Sequence, residues 1–172
     1  MTRIKRKLKV SNKKVSYKSV DTLLSERKIY QIVNPRLVQA PSTTTVAEAI
    51  KLMRERKAGY IVIADKKKPV GIFTETDVVR KIMGKDVNWS FPVRDYMTPN
   101  PVCLTLQDTV GEAIDVMGSK RFYHIPLVNE KGELVNVISV RTLIRFLAEF
   151  YPAEVLNLPP SPNQIMESQE GG

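Results

Sequence analysis

The sequence is poor in the residues that build disulfides and metal cages. Its 172 residues include one cysteine, Cys103, and one histidine, His124. A single cysteine excludes an intrachain disulfide and a cysteine-based zinc cage, and a single histidine excludes a His-rich metal site. Both counts suit a reducing cytoplasm, which we expect as the location of the protein, and we expect no bound metal.

Long hydrophobic runs are also missing. The stretch 60–64 is typical of the longest ones, far short of the ~20 apolar residues that a membrane helix needs. The basic N-terminus is not followed by a hydrophobic segment, so we expect neither membrane association nor a secretory signal. An organelle transit peptide stays open as an alternative, because residues 1–20 are basic and lack acids.

Residues that could form a catalytic centre are scarce. Cys103 falls in a predicted buried strand with no cationic neighbour in sequence to lower its pKa. Glu75 and Asp77 are two residues apart on a predicted helix, so their side chains diverge and do not pair as acid and base. The glycines form neither of the common phosphate-binding loops. We therefore expect no enzymatic activity and no catalytic cofactor.

Positive charge is concentrated at one end of the chain. Residues 1–30 hold ten lysines and arginines against two acids, whereas the whole chain holds 27 against 18. Residues 1–30 are predicted to be a basic arm followed by a short helix over 21–30. Residues 1–18 could bind nucleic acid or an acidic partner, or act only as a solvated tail, and Tyr17 alone offers little base stacking. The proline-rich residues 153–172 are predicted to be an extended tail.

Between these ends the sequence repeats itself. The segments 45–53 and 109–117 are identical at six of nine positions. Each begins with Thr-x-x-Glu, the pattern of a helix capping box, and continues with apolar residues at helical spacing. A short strand precedes each helix, and a hairpin and a second helix follow it. Each copy therefore predicts a β-α-β-β-α unit.

The predicted units explain why the repeat occurs as a pair. One copy can cover its sheet with helices on one face only, so we expect the two copies to pack sheet to sheet with pseudo-twofold symmetry. The fold class is thus α+β (α/β), with the first repeat and linker at 31–91 and the second repeat at 92–152. The predicted strands are 37–40, 60–64, 70–73, 102–104, 123–128 and 134–138, and the predicted second helices are 74–83 and 139–150.

Three motifs resemble the cystathionine-β-synthase (CBS) domain family. The segment 71–77 is similar to the Gly-hydrophobic-x-Thr/Ser-x-x-Asp segment of CBS domains, 93–102 to the start of a second CBS repeat, and 123–129 to the second strand of the family. The resemblance covers residues 35–152. It implies a non-catalytic regulatory pair with two clefts that sense an adenine nucleotide, a homodimer that is parallel or antiparallel, and an output on a separate effector protein.

The first cleft is predicted around Thr74 and Asp77. Thr74 follows a strand and begins a helix, so its hydroxyl and the free N–H groups form an anion site, and the carboxylate one turn later can accept hydrogen bonds from a ribose. The same spacing also fits a capping box, and both roles stay open. By the resemblance, the adenine would contact Ile72 and, in the opposite repeat, Met97, Val102, Phe122 and Tyr123.

The second cleft departs from the family pattern. Asn136 replaces the glycine and Thr142 replaces the aspartate, so we expect weak ribose binding or no ligand, although Ser139 can still contact phosphate. The resemblance places Val38, Ala58 and Gly59 here for a base, and Arg121, His124 and Arg141 are nearby candidates for phosphate contacts. A half-buried structural residue is the alternative for His124, which lies in an otherwise apolar strand.

The ligand itself stays open. AMP, ADP, ATP, NAD and S-adenosylmethionine all carry the ribose, and one aspartate motif with few basic groups favours AMP or ADP. A dimerisation scaffold whose clefts bind nothing is the alternative.

Overall fold

The computed structural model describes residues 20–150, which form two copies of one α+β unit. Helix α1 (Val20–Glu26) and a 3-10 turn (Ile29–Gln31) precede the first copy. The elements of that copy are β1 (Gln39–Ala40), α2 (Val46–Glu55), β2 (Tyr60–Asp65), β3 (Lys68–Thr74) and α3 (Glu75–Asp77), which continues as a π-helical turn (Val78–Ile82).

The second copy repeats this order of elements. After a 3-10 turn (Val93–Asp95) and the short strand β4 (Thr98–Pro99) come β5 (Leu104–Thr105), α4 (Val110–Lys120), β6 (His124–Val128), β7 (Leu134–Ser139) and α5 (Val140–Phe150). The predicted fold class, with two β-α-β-β-α units, is confirmed.

The first long helix of each copy begins with the predicted capping box. Thr45 Oγ1 accepts a hydrogen bond from Glu48 N–H at 3.2 Å, and Glu48 Oε2 accepts one from Thr45 N–H at 2.9 Å. Thr109 and Glu112 form the same two bonds, at 3.1 and 2.6 Å respectively. Hydrogen bonds from the backbone and then the side chain of each threonine lower the pKa of both glutamates. Both helix starts are therefore set by local sequence.

Each copy folds its strands into a small sheet. The first sheet has the order β1-β2-β3-β4, with β1 parallel to β2 and the other pairs antiparallel. The second sheet has the order β5-β6-β7, again a parallel pair followed by a hairpin. Strand β4 lies in the second repeat but completes the first sheet, because Thr98 pairs with Ile72. The sequence did not predict β4, since two residues carry no alternating pattern.

The two sheets meet at a shared seam. On β2, Ile61 and Ile63 belong to the core of the first copy, whereas Val62 between them packs against Leu134 and Val137 of β7. Successive residues of a strand point to opposite faces, so β2 serves its own core with one face and the seam with the other. The copies are therefore packed sheet to sheet, as predicted.

The segment that precedes each copy packs into the core of the other copy, so the two segments are exchanged between the copies. We call residues 28–36 and 92–100 the first and second lead-in segments. Ile29 of the first is fully buried in the core of the second copy, and Val93 of the second is fully buried in the core of the first. Each segment also forms a β-bridge at the start of the other copy's first helix. Residues that the sequence repeat assigns to one copy thus complete the packing of the other.

Some local predictions differ from the structure. The predicted helix over 74–83 is one α-turn followed by a π-turn, and the helix predicted over 21–30 ends at Glu26. Cys103 is half-buried and precedes β5, so its placement in a buried strand was wrong. Pro99 and Pro101 come just before it and have no N–H to donate, so pairing begins only at Leu104. The predicted arm 1–18 and tail 153–172 lie outside the described residues.

Candidate functional site

Thr74 and Asp77 lie at the junction of β3 and α3, where the sequence predicts the first cleft. Asp77 Oδ2 accepts hydrogen bonds from Thr74 N–H at 2.9 Å and from Thr74 Oγ1 at 2.8 Å. Asp77 N–H in turn donates to Thr74 Oγ1 at 3.4 Å. The pair forms a capping box, which is one of the two roles that its spacing allows.

A cation binds the other oxygen of the Asp77 carboxylate. Lys81 Nζ lies 2.7 Å from Asp77 Oδ1. It also donates to the carbonyl oxygens of Tyr96 at 2.7 Å and Met97 at 3.3 Å, in the second lead-in segment. The Asp77 residue is 7% exposed. Both carboxylate oxygens are therefore engaged within the protein, and a ribose hydroxyl has to share or replace these partners.

Met97 lies directly over β3. A Cβ atom at Gly71 would overlap the Met97 side chain, so glycine is the residue that leaves room there. The next residue of β3, Ile72, is buried. The structure thus brings together four of the seven residues predicted for the first cleft: Ile72, Thr74, Asp77 and Met97.

The other three predicted residues belong to the second repeat. Val102 and Tyr123 are 39% and 66% exposed, and Phe122 packs against the core of the second copy. The Tyr123 carbonyl accepts a hydrogen bond from Val140 N–H at 3.0 Å. That carbonyl therefore helps to fix the start of α5.

The second cleft is a cavity of about 360 Å³ between the two copies. This volume falls in the range of roughly 300–1,000 Å³ that is typical of small-molecule sites. Its walls come from the first lead-in segment, residues 57–60 after α2 and Glu75 on one side, and from β6, β7 and α5 on the other. The lining includes six of the eight residues predicted for this cleft: Ala58, Gly59, His124, Ser139, Arg141 and Thr142.

Ser139 and Thr142 lie where β7 meets α5. Their hydroxyl oxygens are 3.1 Å apart and share a hydrogen bond, and Thr142 N–H donates to Ser139 Oγ at 3.3 Å. This arrangement repeats the geometry of Thr74 and Asp77 without a carboxylate. The second cleft therefore offers two neutral hydroxyls at the start of the 11-residue helix α5.

Side chains hold the first lead-in segment over this cavity. Asn136 Nδ2 donates to the Asn34 carbonyl at 3.0 Å, and Asn136 Oδ1 accepts from Val137 N–H at 2.9 Å. The Tyr60 hydroxyl donates to the Arg36 carbonyl at 2.9 Å. The second lead-in segment is held by strand pairing to β3 together with the Lys81 side chain. The two segments are thus anchored in different ways.

Tyr60 and His124 occupy matching positions in the two copies and meet at the wall of the cavity. Their ring centroids are 4.7 Å apart. Burial lowers the pKa of His124 to about 4 and raises the pKa of Tyr60. At neutral pH His124 is therefore an uncharged donor and acceptor in this structure and adds no positive charge to the cleft.

Positive charge reaches the cavity from both copies. Arg36 and Lys57 come from the first copy and Arg141 and Arg145 from α5, against one lining carboxylate, Glu75. The Arg36 guanidinium also donates to two backbone carbonyls just after α2. The cavity walls therefore carry more positive than negative charge.

Two predicted residues lie outside the cavity lining. Val38 is buried in the core of the first copy, and Arg121 ends α4 in an exposed left-handed conformation with φ 56°. Sequence reasoning missed Arg145, although it follows Arg141 by four residues and shares its helix face. Lys57 directly precedes the predicted Ala58 and Gly59, a position that could have indicated it. Arg36 had no comparable signal, because only the placement of the first lead-in segment brings it here.

The described residues give no indication of metal or thiol chemistry. Residues 20–150 contain no group of three or more His, Cys, Asp or Glu side chains able to hold a metal ion. Burial raises the pKa of the Cys103 thiol, which is the opposite of activation. Within the same residues, each helix is too short or too polar to cross a membrane.

Known proteins match this chain over most of its length. The CBS domain family matches residues 29–84 and 93–149. An uncharacterized 17.7 kDa protein of Acidianus ambivalens is 33% identical over 125 residues, which is 72% of this chain and 75% of that protein. The chain spans only 19% to 21% of the length of CBS domain-containing proteins of Arabidopsis thaliana.

Solved structures share the fold. An uncharacterized conserved protein of Pyrococcus horikoshii is 27% identical with a TM-score of 0.65, covering 71% of this chain and 92% of that one. A CBS domain protein of Pyrobaculum aerophilum, complexed with AMP, is 23% identical with a TM-score of 0.66, covering 76% of this chain and 99% of that one.

Proposed function

This chain belongs to the CBS domain family, and on that premise we propose that it is a non-catalytic regulatory module that binds an adenine nucleotide between its two CBS domains. The cavity of about 360 Å³ with walls from both copies is the observation that carries this proposal. A ligand bound in this cavity contacts both repeats at once. A pair of repeats that served only as a scaffold would not need such a cavity.

The chemistry of the cavity walls suits a nucleotide. Ala58 presents a small side chain on one side, where a flat base can approach closely, and Gly59 beside it leaves room for the Glu75 carboxylate. Ser139 and Thr142 present hydroxyls at the start of α5 on the other side, and the start of a helix favours anions. Base and phosphate therefore each have a suitable surface within one cavity.

The first cleft is a further ligand position under this proposal. Asp77 has the acceptor oxygens that a ribose needs, but Thr74 and Lys81 use them in the present arrangement. A ligand there shares the carboxylate with Lys81 or replaces it, and Lys81 also binds the second lead-in segment. Replacement of Lys81 would thus couple binding at Asp77 to movement of that segment.

Regulation would follow from the position of the ligand between the copies. A ligand that binds one relative arrangement of the repeats more tightly shifts the population towards it, by no more than its difference in affinity. The complex of the Pyrobaculum aerophilum protein with AMP supports an adenine nucleotide as the ligand class. The homodimer, the effector protein, the cytoplasmic location and nucleic-acid binding by residues 1–18 stay predictions.

Isothermal titration calorimetry with AMP, ADP, ATP, NAD and S-adenosylmethionine tests the proposal. We expect at least one of them to bind the full chain, and Ala58→Phe to weaken that binding by at least about 10-fold by filling the cavity. Phenylalanine occupies the matching position 122 of the second copy, so the local backbone accepts it. Lys131→Ala, an exposed turn residue, is the control. The proposal fails if no adenine compound binds, or if Ala58→Phe binds as the wild type does.

A further inference from the structure

The geometry points to phosphate recognition in the second cleft. This cleft binds the phosphate chain of a nucleotide more strongly than the ribose, and it therefore prefers a nucleoside triphosphate to a monophosphate. This inference rests on the proposed function and specifies the ligand class of one cleft. It reverses the expectation from the sequence, in which few basic groups favoured AMP or ADP.

Four cationic side chains converge on this cavity from separate parts of the fold. Arg36 lies in the first lead-in segment, Lys57 follows α2, and Arg141 and Arg145 lie one turn apart on α5. Residues four apart on a helix are neighbours on one face, so the two guanidinium groups can bind successive phosphates. Glu75 is the single lining carboxylate and leaves a clear excess of positive charge.

Solvated surface charge alone does not explain this distribution. The matching positions around the first cleft, found from the sequence repeat, are Asn100, Arg121, Thr76 and Arg80. Two of these four are neutral, whereas all four positions at the second cleft are cationic. Arg36 and Arg141 therefore add two cations to the second cleft that the repeat does not supply at the matching positions of the first, where Lys81 is paired with Asp77.

The second cleft has fewer groups that can bind a ribose than the first cleft has. Thr142 stands where the first copy has Asp77, and its hydroxyl is already shared with Ser139 at 3.1 Å. One neutral hydroxyl binds a ribose more weakly than a carboxylate with two acceptor oxygens. Glu75 does not replace it, because its carboxylate lies against Gly59, with Oε2 2.9 Å from where a Cβ there would be. The phosphates, not the ribose, thus have the stronger partners.

The test compares ligands that differ only in phosphate number. We expect the affinity of the full chain, measured by calorimetry without divalent metal at constant ionic strength, to rise by about 10-fold per phosphate from AMP to ATP. Inorganic tripolyphosphate should compete with ATP. Arg141→Gln with Arg145→Gln should weaken ATP by about 30-fold or more and AMP by less than about threefold. Lys131→Gln, in an exposed turn, is the matched control for loss of charge.

The outcomes separate this inference from the proposed function. If AMP binds as tightly as ATP, or tripolyphosphate does not compete, phosphate recognition is wrong although adenine-nucleotide binding stands. If tripolyphosphate binds and no adenine compound binds more tightly than it does, phosphate recognition stands and the adenine proposal fails. An unaltered ATP affinity in the double variant, with its thermal unfolding unchanged, also overturns the inference.

Discussion

The two clefts are built from matching segments, yet they differ in what occupies the space between the copies. In the first, Met97 lies over Gly71, and Lys81 neutralises Asp77. In the second, Asn136 holds the lead-in segment through its Asn34 carbonyl, and a cavity of about 360 Å³ lies beside it. The cleft with the better match to the CBS motif therefore has its key carboxylate engaged within the protein, and the cleft that departs from the motif has the cavity.

This difference depends on one residue in each copy. Asp77 and Asn136 are the two buried polar side chains among the described residues, one at each cleft and at positions that do not correspond. Buried polar groups need hydrogen-bond partners. Asp77 finds its partners in its own helix start and Lys81, whereas Asn136 finds one in the lead-in segment of the other copy. A motif match alone therefore does not indicate which cleft can accept a ligand.

The largest expected effect comes from making position 71 resemble position 136. Gly71→Asn puts a side chain where the Met97 Sδ, Cε and Cγ atoms lie, and we expect it to reduce the free energy of unfolding by about 2–3 kcal/mol, because Met97 has to move and the new amide is buried. Urea denaturation followed by circular dichroism measures this. Combining the change with Met97→Ala should recover at least half of the loss. A Gly71→Asn protein as stable as the wild type would show that Met97 does not close the first cleft.

The second effect concerns the matched pair Tyr60 and His124. Because the folded pKa of His124 is about 4, below its usual value of 6.5, the unfolded chain takes up a proton first as the pH falls. Stability is therefore full above pH 6.5 and is lost as the pH falls from there towards 4. We expect a loss of about 2 kcal/mol between pH 7 and pH 5 from this group.

Two variants separate the pH-dependent contribution of His124 from that of the neighbouring Tyr60. His124→Gln should remove most of the loss, whereas Tyr60→Phe should keep it, because the phenol stays uncharged throughout. Since His124 is the only histidine in the chain, its proton resonances give the pKa directly in an NMR titration. A measured pKa near 6.5 would contradict the burial of this ring at the seam.

Local features of the fold could be predicted because short stretches of sequence determine them. The capping boxes at Thr45 and Thr109 need only residues three apart, and the hairpins need only alternating strands around a turn. Strand β4 and the exchange of lead-in segments could not be predicted in this way. They depend on contacts between residues far apart in the chain, which periodicity does not reveal.

The same limit applies to the clefts. The resemblance placed Ala58, Gly59, Ser139 and Thr142 at one cleft, and all four line one cavity in the structure. It did not indicate that Lys81 would bind Asp77 or that Arg36 would face the cavity. The Arg36 contact depends on how the first lead-in segment is anchored, which periodicity does not reveal. Lys81 and Asp77 are four residues apart, and that spacing could have indicated their ion pair.

The smallest expected effect comes from exchanging the residues at positions 77 and 142. Asp77→Thr removes the ion pair with Lys81, which is partly exposed, and the charge at the start of α3, so we expect a loss of about 1 kcal/mol in the free energy of unfolding. The new hydroxyl can keep one bond to Thr74, as Thr142 does with Ser139. Thr142→Asp should change stability by less than about 0.5 kcal/mol, because Phe146 stands at the position of Lys81 and the nearby cations, Arg141 and Arg145, are exposed and solvated.

Denaturation at low and high salt checks this last comparison. The loss from Asp77→Thr should shrink as salt is added, since screening weakens the ion pair in the wild type but has no pair to act on in the variant. Equal losses from the two exchanges, independent of salt, would mean that the Asp77 carboxylate contributes no more to the first cleft than the Thr142 hydroxyl does to the second. The ion pair of Asp77 with Lys81 would then not distinguish the first cleft from the second in its contribution to stability.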